Sequence, residues 1–133
     1  MLVTPSGPCA EAPYRPHRLV LQWHVTERCN LRCTHCYQEG YSGDELPFND
    51  LLRLLQQYKD LLDAWGRPPW SSPVRGHVTV TGGEPFVRTD FLDLLEVFAA
   101  NGRRFSFAVL TNGSFINAAL AYRLRQLRPA YVQ

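Results

Sequence analysis

The stretch HVTVTGGEPFVRTDFLDLLEVFAANGRRFSFAVL, residues 77–110, decides the fold. His77 to Thr81 alternates as a strand does. GGEP interrupts it. Thr89 or Asp90 can cap a helix, FLDLLEVFAAN, which Gly102 closes. Arg104 to Leu110 then returns to β-forming residues. A strand, a helix and a strand in immediate succession predict a parallel pair joined by a right-handed crossover.

The same rhythm runs outward on both sides. Leu19 to Val25 is rich in apolar β-formers and predicts a strand. Leu51, Leu54, Leu55, Tyr58, Leu61, Leu62 and Trp65 recur at helical spacing and read as one core-facing stripe. Asn49 is positioned to cap that helix, Gly66 to end it, and Pro68 and Pro69 forbid its continuation. GRPPWSSPVRG is a linker. Beyond residue 110, TNG makes a turn. Ser114 or Asn117 can cap a helix reaching about Leu127, and AYVQ begins a further strand. The order βαβαβαβ predicts an α/β fold, a partial (β/α) barrel of parallel strands. A βα unit takes roughly 30 residues, so residues 18–133 hold about three and a half units, the amino-terminal portion of a larger barrel. Residues 1–17, with four prolines, read as a flexible arm.

In such sheets ligands lie outside the carboxyl ends of the strands. Three motifs fall there: CNLRCTHC after the first strand, GGEP after the second and TNG after the third. Cys29, Cys33 and Cys36 follow C-x3-C-x2-C. Three thiolates can hold three corners of a cubane iron–sulfur cluster and leave one iron open. Zinc with His24 or His35 as fourth ligand is the alternative, although zinc sites more often show paired C-x2-C spacing. Arg28 and Arg32 flank the loop, and their charge would favour thiolates. Gly82 and Gly83 allow close backbone approach to a ligand, Pro85 biases Glu84 toward an extended conformation, and the Glu84 carboxylate is an acceptor. Thr111, Asn112 and Gly113 offer further hydrogen bonds.

The bulk properties exclude several classes. The 133 residues are 45% aliphatic or aromatic, enough for one packed core. The net charge of +2, from 14 basic and 12 acidic residues, argues against nucleic-acid binding or an acidic membrane surface. Thirteen of the basic residues are scattered arginines. No run approaches the ~20 apolar residues of a membrane span, and the start lacks a signal-peptide core. The expected location is cytoplasmic, where clustered cysteines more often bind metal than form disulfides. Cys9, in the arm, reads as a spare thiol.

CNLRCTHCY resembles the signature of the radical SAM superfamily, C-x3-C-x-Φ-C, with His35 where an aromatic residue is usual. TGGEP, Thr81 to Pro85, is similar to the family's second motif, and TNG after the third strand also recurs there. The resemblance runs from about Leu19 to the end. It implies that Cys29, Cys33 and Cys36 ligate a [4Fe-4S] cluster and that S-adenosyl-L-methionine chelates the open iron. Reductive cleavage would then give a 5′-deoxyadenosyl radical that abstracts hydrogen from a substrate. It further implies an electron donor such as flavodoxin or ferredoxin. His35, Tyr37, Gly82, Gly83, Glu84, Pro85, Thr111, Asn112 and Gly113 are the residues it places around the cofactor. TERCNLRCTHCY is most like the subgroup of peptide and sulfatase maturases and haem-pathway enzymes, so maturation of a ribosomal peptide is the expected use. A non-enzymatic iron–sulfur or zinc module, and an inactive fragment of a larger enzyme, are the alternatives.

Overall fold

The computed structural model describes residues 16–70 and 72–133. Cys9 and all but the last two residues of the expected arm lie outside them. Strand β1 (Arg18–His24) is followed by helix α1 (Phe48–Ala64), β2 (Arg75–Thr81), a short 3-10 turn (Pro85–Val87), α2 (Phe91–Ala100), β3 (Phe105–Val109) and α3 (Ala118–Leu127). The sheet order is β1-β2-β3, all parallel, with Leu21 opposite Val78 and Val78 opposite Phe107. The expected fourth strand is present at its start: Val132 bridges to Val109 in parallel, and the Ala130 and Gln133 amides donate to Phe107 and Val109 carbonyls. This is the partial α/β barrel that the alternation of strands and helices predicts.

The helices cover one face of the sheet. Trp23, Val78, Val80, Phe105, Phe107 and Val109 point into them and meet Leu51, Leu55 and Leu62 of α1, Leu94, Leu95 and Phe98 of α2, and Leu124 of α3. Phe98 is the hub, its ring 5.7–6.1 Å from those of Trp23, Phe105 and Phe107. Period-two alternation puts Val20, Gln22 and His24 of β1 on the opposite, open face, where they are exposed.

Four local expectations are corrected. Leu54 and Leu61 are exposed while Leu51, Leu55, Tyr58 and Leu62 are buried. At ~100° per residue the first pair is rotated about 80° from the centre of the buried stripe. Asn49 lies inside α1, which starts behind Pro47 with no side-chain cap. Asp90 sits at the start of α2 but spends its carboxylate on Arg88 instead of the helix amides. Arg75 and Gly76, assigned to the linker, open β2. Asn117 does cap α3, accepting from the Leu120 amide at 2.9 Å.

Tyr58 is more than stripe. Its hydroxyl donates to the Leu19 carbonyl (2.7 Å) and accepts from the His77 amide (3.0 Å), stitching α1 to β1 and β2. Gly76 leaves the room, since a Cβ there would strike that hydroxyl.

On the open face His77 is buried beneath Tyr131, ring centroids 6.1 Å apart, with Nδ1 2.7 Å from the Ser106 hydroxyl. Burial first, and the charge of Arg18 second, hold its pKa below the ordinary imidazole value. The neutral form is therefore favoured on folding. His77 contributes its full stability above the unfolded value of about 6.5 and loses it as the pH falls from there toward the folded value. The stability gap between wild type and His77→Gln, measured by urea unfolding, should narrow on acidification from pH 7.5 to 5.5; a constant gap would contradict this.

Candidate functional site

The carboxyl ends of β1, β2 and β3 continue into three loops that stay paired through main chain. The Val25 amide donates to Thr81 (2.9 Å), the Gly83 amide to Thr26 (2.9 Å) and the Glu84 amide to Arg28 (2.8 Å). The ladder thus runs past the strands and ends one residue before Cys29. This contact requires glycine. A Cβ on Gly82 would run into the Thr26 carbonyl oxygen, and one on Gly83 into that of Arg28.

Cys29, Cys33 and Cys36 are free, with Cys33 and Cys36 exposed. All three line one cavity of about 350 Å³. Tyr37, Gly82, Gly83, Thr111 and Asn112 line it too. His35, Glu84, Pro85 and Gly113 do not form its wall. His35 turns to its neighbour, Nδ1 3.2 Å from the Thr34 hydroxyl. His24 stands beside the cavity, its Nδ1 3.2 Å from the Tyr37 hydroxyl.

The sulfurs are supplied with donors. A hydrogen bond from the Tyr41 hydroxyl, then one from the Gln38 backbone, holds the Cys36 thiol below its usual range, and Arg32 adds its charge. Arg32 stacks over the Tyr41 ring at 3.8 Å and donates to the Cys29 and Leu31 carbonyls. The Leu31 amide donates to Cys29 Sγ (3.4 Å). Arg28, expected to serve the thiolates, instead pairs with Glu45 at 2.7 Å and points away from them.

Glu84 is fully buried. One carboxylate oxygen accepts from the Phe86 amide (3.1 Å) and the Thr111 hydroxyl (2.8 Å), the other from the Asn112 amide (2.7 Å) and the same hydroxyl (2.9 Å). Its acceptor capacity is taken up within the protein, and it locks the loop after β2 to the loop after β3. Gly113 closes the latter with φ +77°, a conformation that favours glycine.

Sequence reasoning missed a clasp behind the cysteine loop. Arg88, whose side chain is 3% exposed, donates to the Val25 carbonyl (3.0 Å), the Leu46 carbonyl (3.1 Å) and both Asp90 oxygens (2.9 Å each). Glu45 lies 3.6 Å away and bonds Arg28 and the Thr26 hydroxyl. Arg28 holds the Glu45 carboxyl below the usual range. Val25 and Leu46 are the two ends of the loop that carries the cysteines, so one guanidinium closes it. Arg88 and Glu45, 43 positions apart, give no local signal of such a meeting.

The donor set suits a cluster. Three free thiols on one cavity are the donor type and number that three corners of a cubane take, each at a different iron; among the described residues no three His, Cys, Asp or Glu are grouped to hold a metal ion. No helix among them is long and apolar enough to cross a membrane.

Comparison with known proteins agrees with this geometry. Residues 23–133 match the model of the radical SAM superfamily. The chain is 32% identical over 113 residues to an Fe-coproporphyrin III synthase of Methanosarcina barkeri, covering 85% of this chain and 26% of that protein. It is 33% identical over 108 residues to the mycofactocin maturase MftC of Mycolicibacterium smegmatis, covering 80% and 24%. A GTP 3′,8-cyclase of Haemophilus influenzae is 28% identical over 106 residues, covering 76% and 28%. The crystal structure of BtrN in complex with AdoMet and 2-DOIA superposes with a TM-score of 0.67 at 17% identity, over 85% of this chain and 43% of that one. The chain spans about a quarter of the length of these curated relatives.

Proposed function

Since the chain belongs to the radical SAM superfamily, we propose that residues 18–133 form the cofactor-holding part of an enzyme core. Cys29, Cys33 and Cys36 would ligate a [4Fe-4S] cluster, and S-adenosyl-L-methionine would lie beside it. The observation that carries this reading is the shared cavity: three free cysteines, the Gly82–Gly83 backbone and Thr111–Asn112 on one wall. When bound, the pair would supply one-electron cleavage of the sulfonium and a 5′-deoxyadenosyl radical for hydrogen abstraction.

The chain's own residues have narrower tasks. The glycine pair lets main chain approach the cofactor's polar end. Tyr37 borders the cavity with an aromatic face. Glu84 acts through the loops it joins. His35, Pro85 and Gly113 act at one remove, by shaping the turns around the cavity. The reductant would be a flavodoxin- or ferredoxin-type donor. The likeness to a protein named as a maturase supports a peptide as our first choice of substrate, in a cytoplasmic setting.

The test is anaerobic reconstitution with iron and sulfide, reduction, and electron paramagnetic resonance with and without S-adenosyl-L-methionine. A [4Fe-4S]⁺ signal altered by the cofactor, and absent from Cys29→Ser, Cys33→Ser and Cys36→Ser, is expected. A cluster indifferent to the cofactor, or zinc in its place, would overturn the reading in favour of a metal-binding module.

A further inference from the structure

We infer that Asn112, oriented by Asn30 and Ser114, is the residue that sets the reduction potential of the cluster through a hydrogen bond to Cys29. This rests on the reading of the three cysteines as cluster ligands. Asn112 Nδ2 lies 3.8 Å from Cys29 Sγ and 2.9 Å from Asn30 Oδ1. Its Oδ1 accepts from the Ser114 amide (2.9 Å) and the Ser114 hydroxyl (2.6 Å). The Asn30 amide in turn donates to that hydroxyl at 2.8 Å.

These contacts fix which way the Asn112 amide faces. A backbone N–H only donates, so the atom opposite Ser114 is the oxygen, and the nitrogen faces Cys29. The backbone is fixed too, since the Asn112 amide donates to buried Glu84 and Gly113 makes the turn behind it. The side chain is therefore held at both ends while one N–H is left aimed at a sulfur.

An N–H directed at a ligand sulfur stabilises the more negative state. Adding one electron to a cluster increases charge on its sulfurs, so the donor favours reduction and raises the potential. At 3.8 Å to a thiol the bond is weak; it strengthens as charge on the sulfur grows. The Leu31 amide adds a second donor, but it is main chain and common to any residue at that position. Asn112 reaches Cys29 from 83 positions away and couples the potential to the loop after β3.

The experiment is a dithionite titration of the reconstituted full chain, with the reduced-cluster resonance as readout. Asn112→Leu should keep its cluster and favour the reduced state about three- to tenfold less, a downward shift of roughly 30–60 mV at 59 mV per decade for one electron. Asn112→Asp, which keeps the acceptor to Ser114 but puts an anionic oxygen toward the sulfur, should shift further in the same direction. Full cluster content with an unmoved potential in both variants overturns the inference alone. Loss of the cluster in both overturns it as well, because Asn112 would then be needed for assembly and not for tuning. A wild-type chain that takes up no cluster overturns the underlying reading together with it.

Discussion

Arg88→Met is expected to lose roughly 3–5 kcal/mol of stability, the usual consequence of removing one partner from a buried charge network. The side chain of Arg88 is 3% exposed, and its removal strips donors from the Val25 and Leu46 carbonyls and from both Asp90 oxygens. Glu45 keeps Arg28, so the damage falls on the main chain at the two ends of the cysteine loop. At about 4 °C per kcal/mol for a domain of this size, the midpoint of thermal unfolding should drop by roughly 12–20 °C. Arg88→Lys should recover little of it, because an ammonium cannot reach the three partners that the planar guanidinium spans. The loop should become the first site of proteolysis. A drop under about 5 °C with an uncleaved loop would show that the loop closes without the clasp.

Glu84→Gln carries the second large effect. The carboxylate is fully buried and meets only donors: two backbone amides and a hydroxyl. A glutamine keeps the shape but turns one acceptor into an N–H₂ group, which must face either the Phe86 or the Asn112 amide. Two opposed buried donors cost about 2–4 kcal/mol, the penalty for unsatisfied groups plus the lost charge-assisted bonds. Thermal unfolding should register that loss. Amide hydrogen exchange should localise it, with faster exchange at Phe86 and Asn112 and little change in the α1 amides. Uniform acceleration everywhere would mean that Glu84 supports the whole fold and not the junction of two loops.

The contrast between these residues shows what the sequence makes legible. Strand and helix order follows from periodicity, and the placement of CNLRCTHC, GGEP and TNG at one end of the sheet follows from that order. The register of the loops does not. Glu84 is an acceptor in any reading, but its direction depends on Thr111 and Asn112, 27 and 28 positions on. Asn49 and Asn117 look alike as caps, and only Asn117 caps, because the first helix already begins at Phe48, one residue ahead of Asn49, with Pro47 in the cap position. Arg88 and Glu45 look like ordinary surface charges. The burial of Arg88 and the part-burial of Glu45 are set by a meeting of segments that local pattern does not encode. Tyr58 fits its helical stripe, while its hydroxyl serves two strands that the stripe says nothing about.

The ladder that runs past the strands has an evolutionary side. The carbonyl oxygens of Thr26 and Arg28 accept from the Gly83 and Glu84 amides of the loop after β2, and a carbonyl oxygen is an atom that every residue offers alike. These ladder bonds are therefore insensitive to the identity of the side chains, in contrast to the clasp of Arg88, Glu45 and Arg28 behind them. Leu31 and Thr34 contribute no side chain to that ladder and are free to drift, while the position of Cys29 stays as it is. Constraint concentrates instead on Gly82 and Gly83, where the smallest addition collides with that same backbone. A lineage can rework the loop's outer surface one residue at a time while these ladder bonds stay in place.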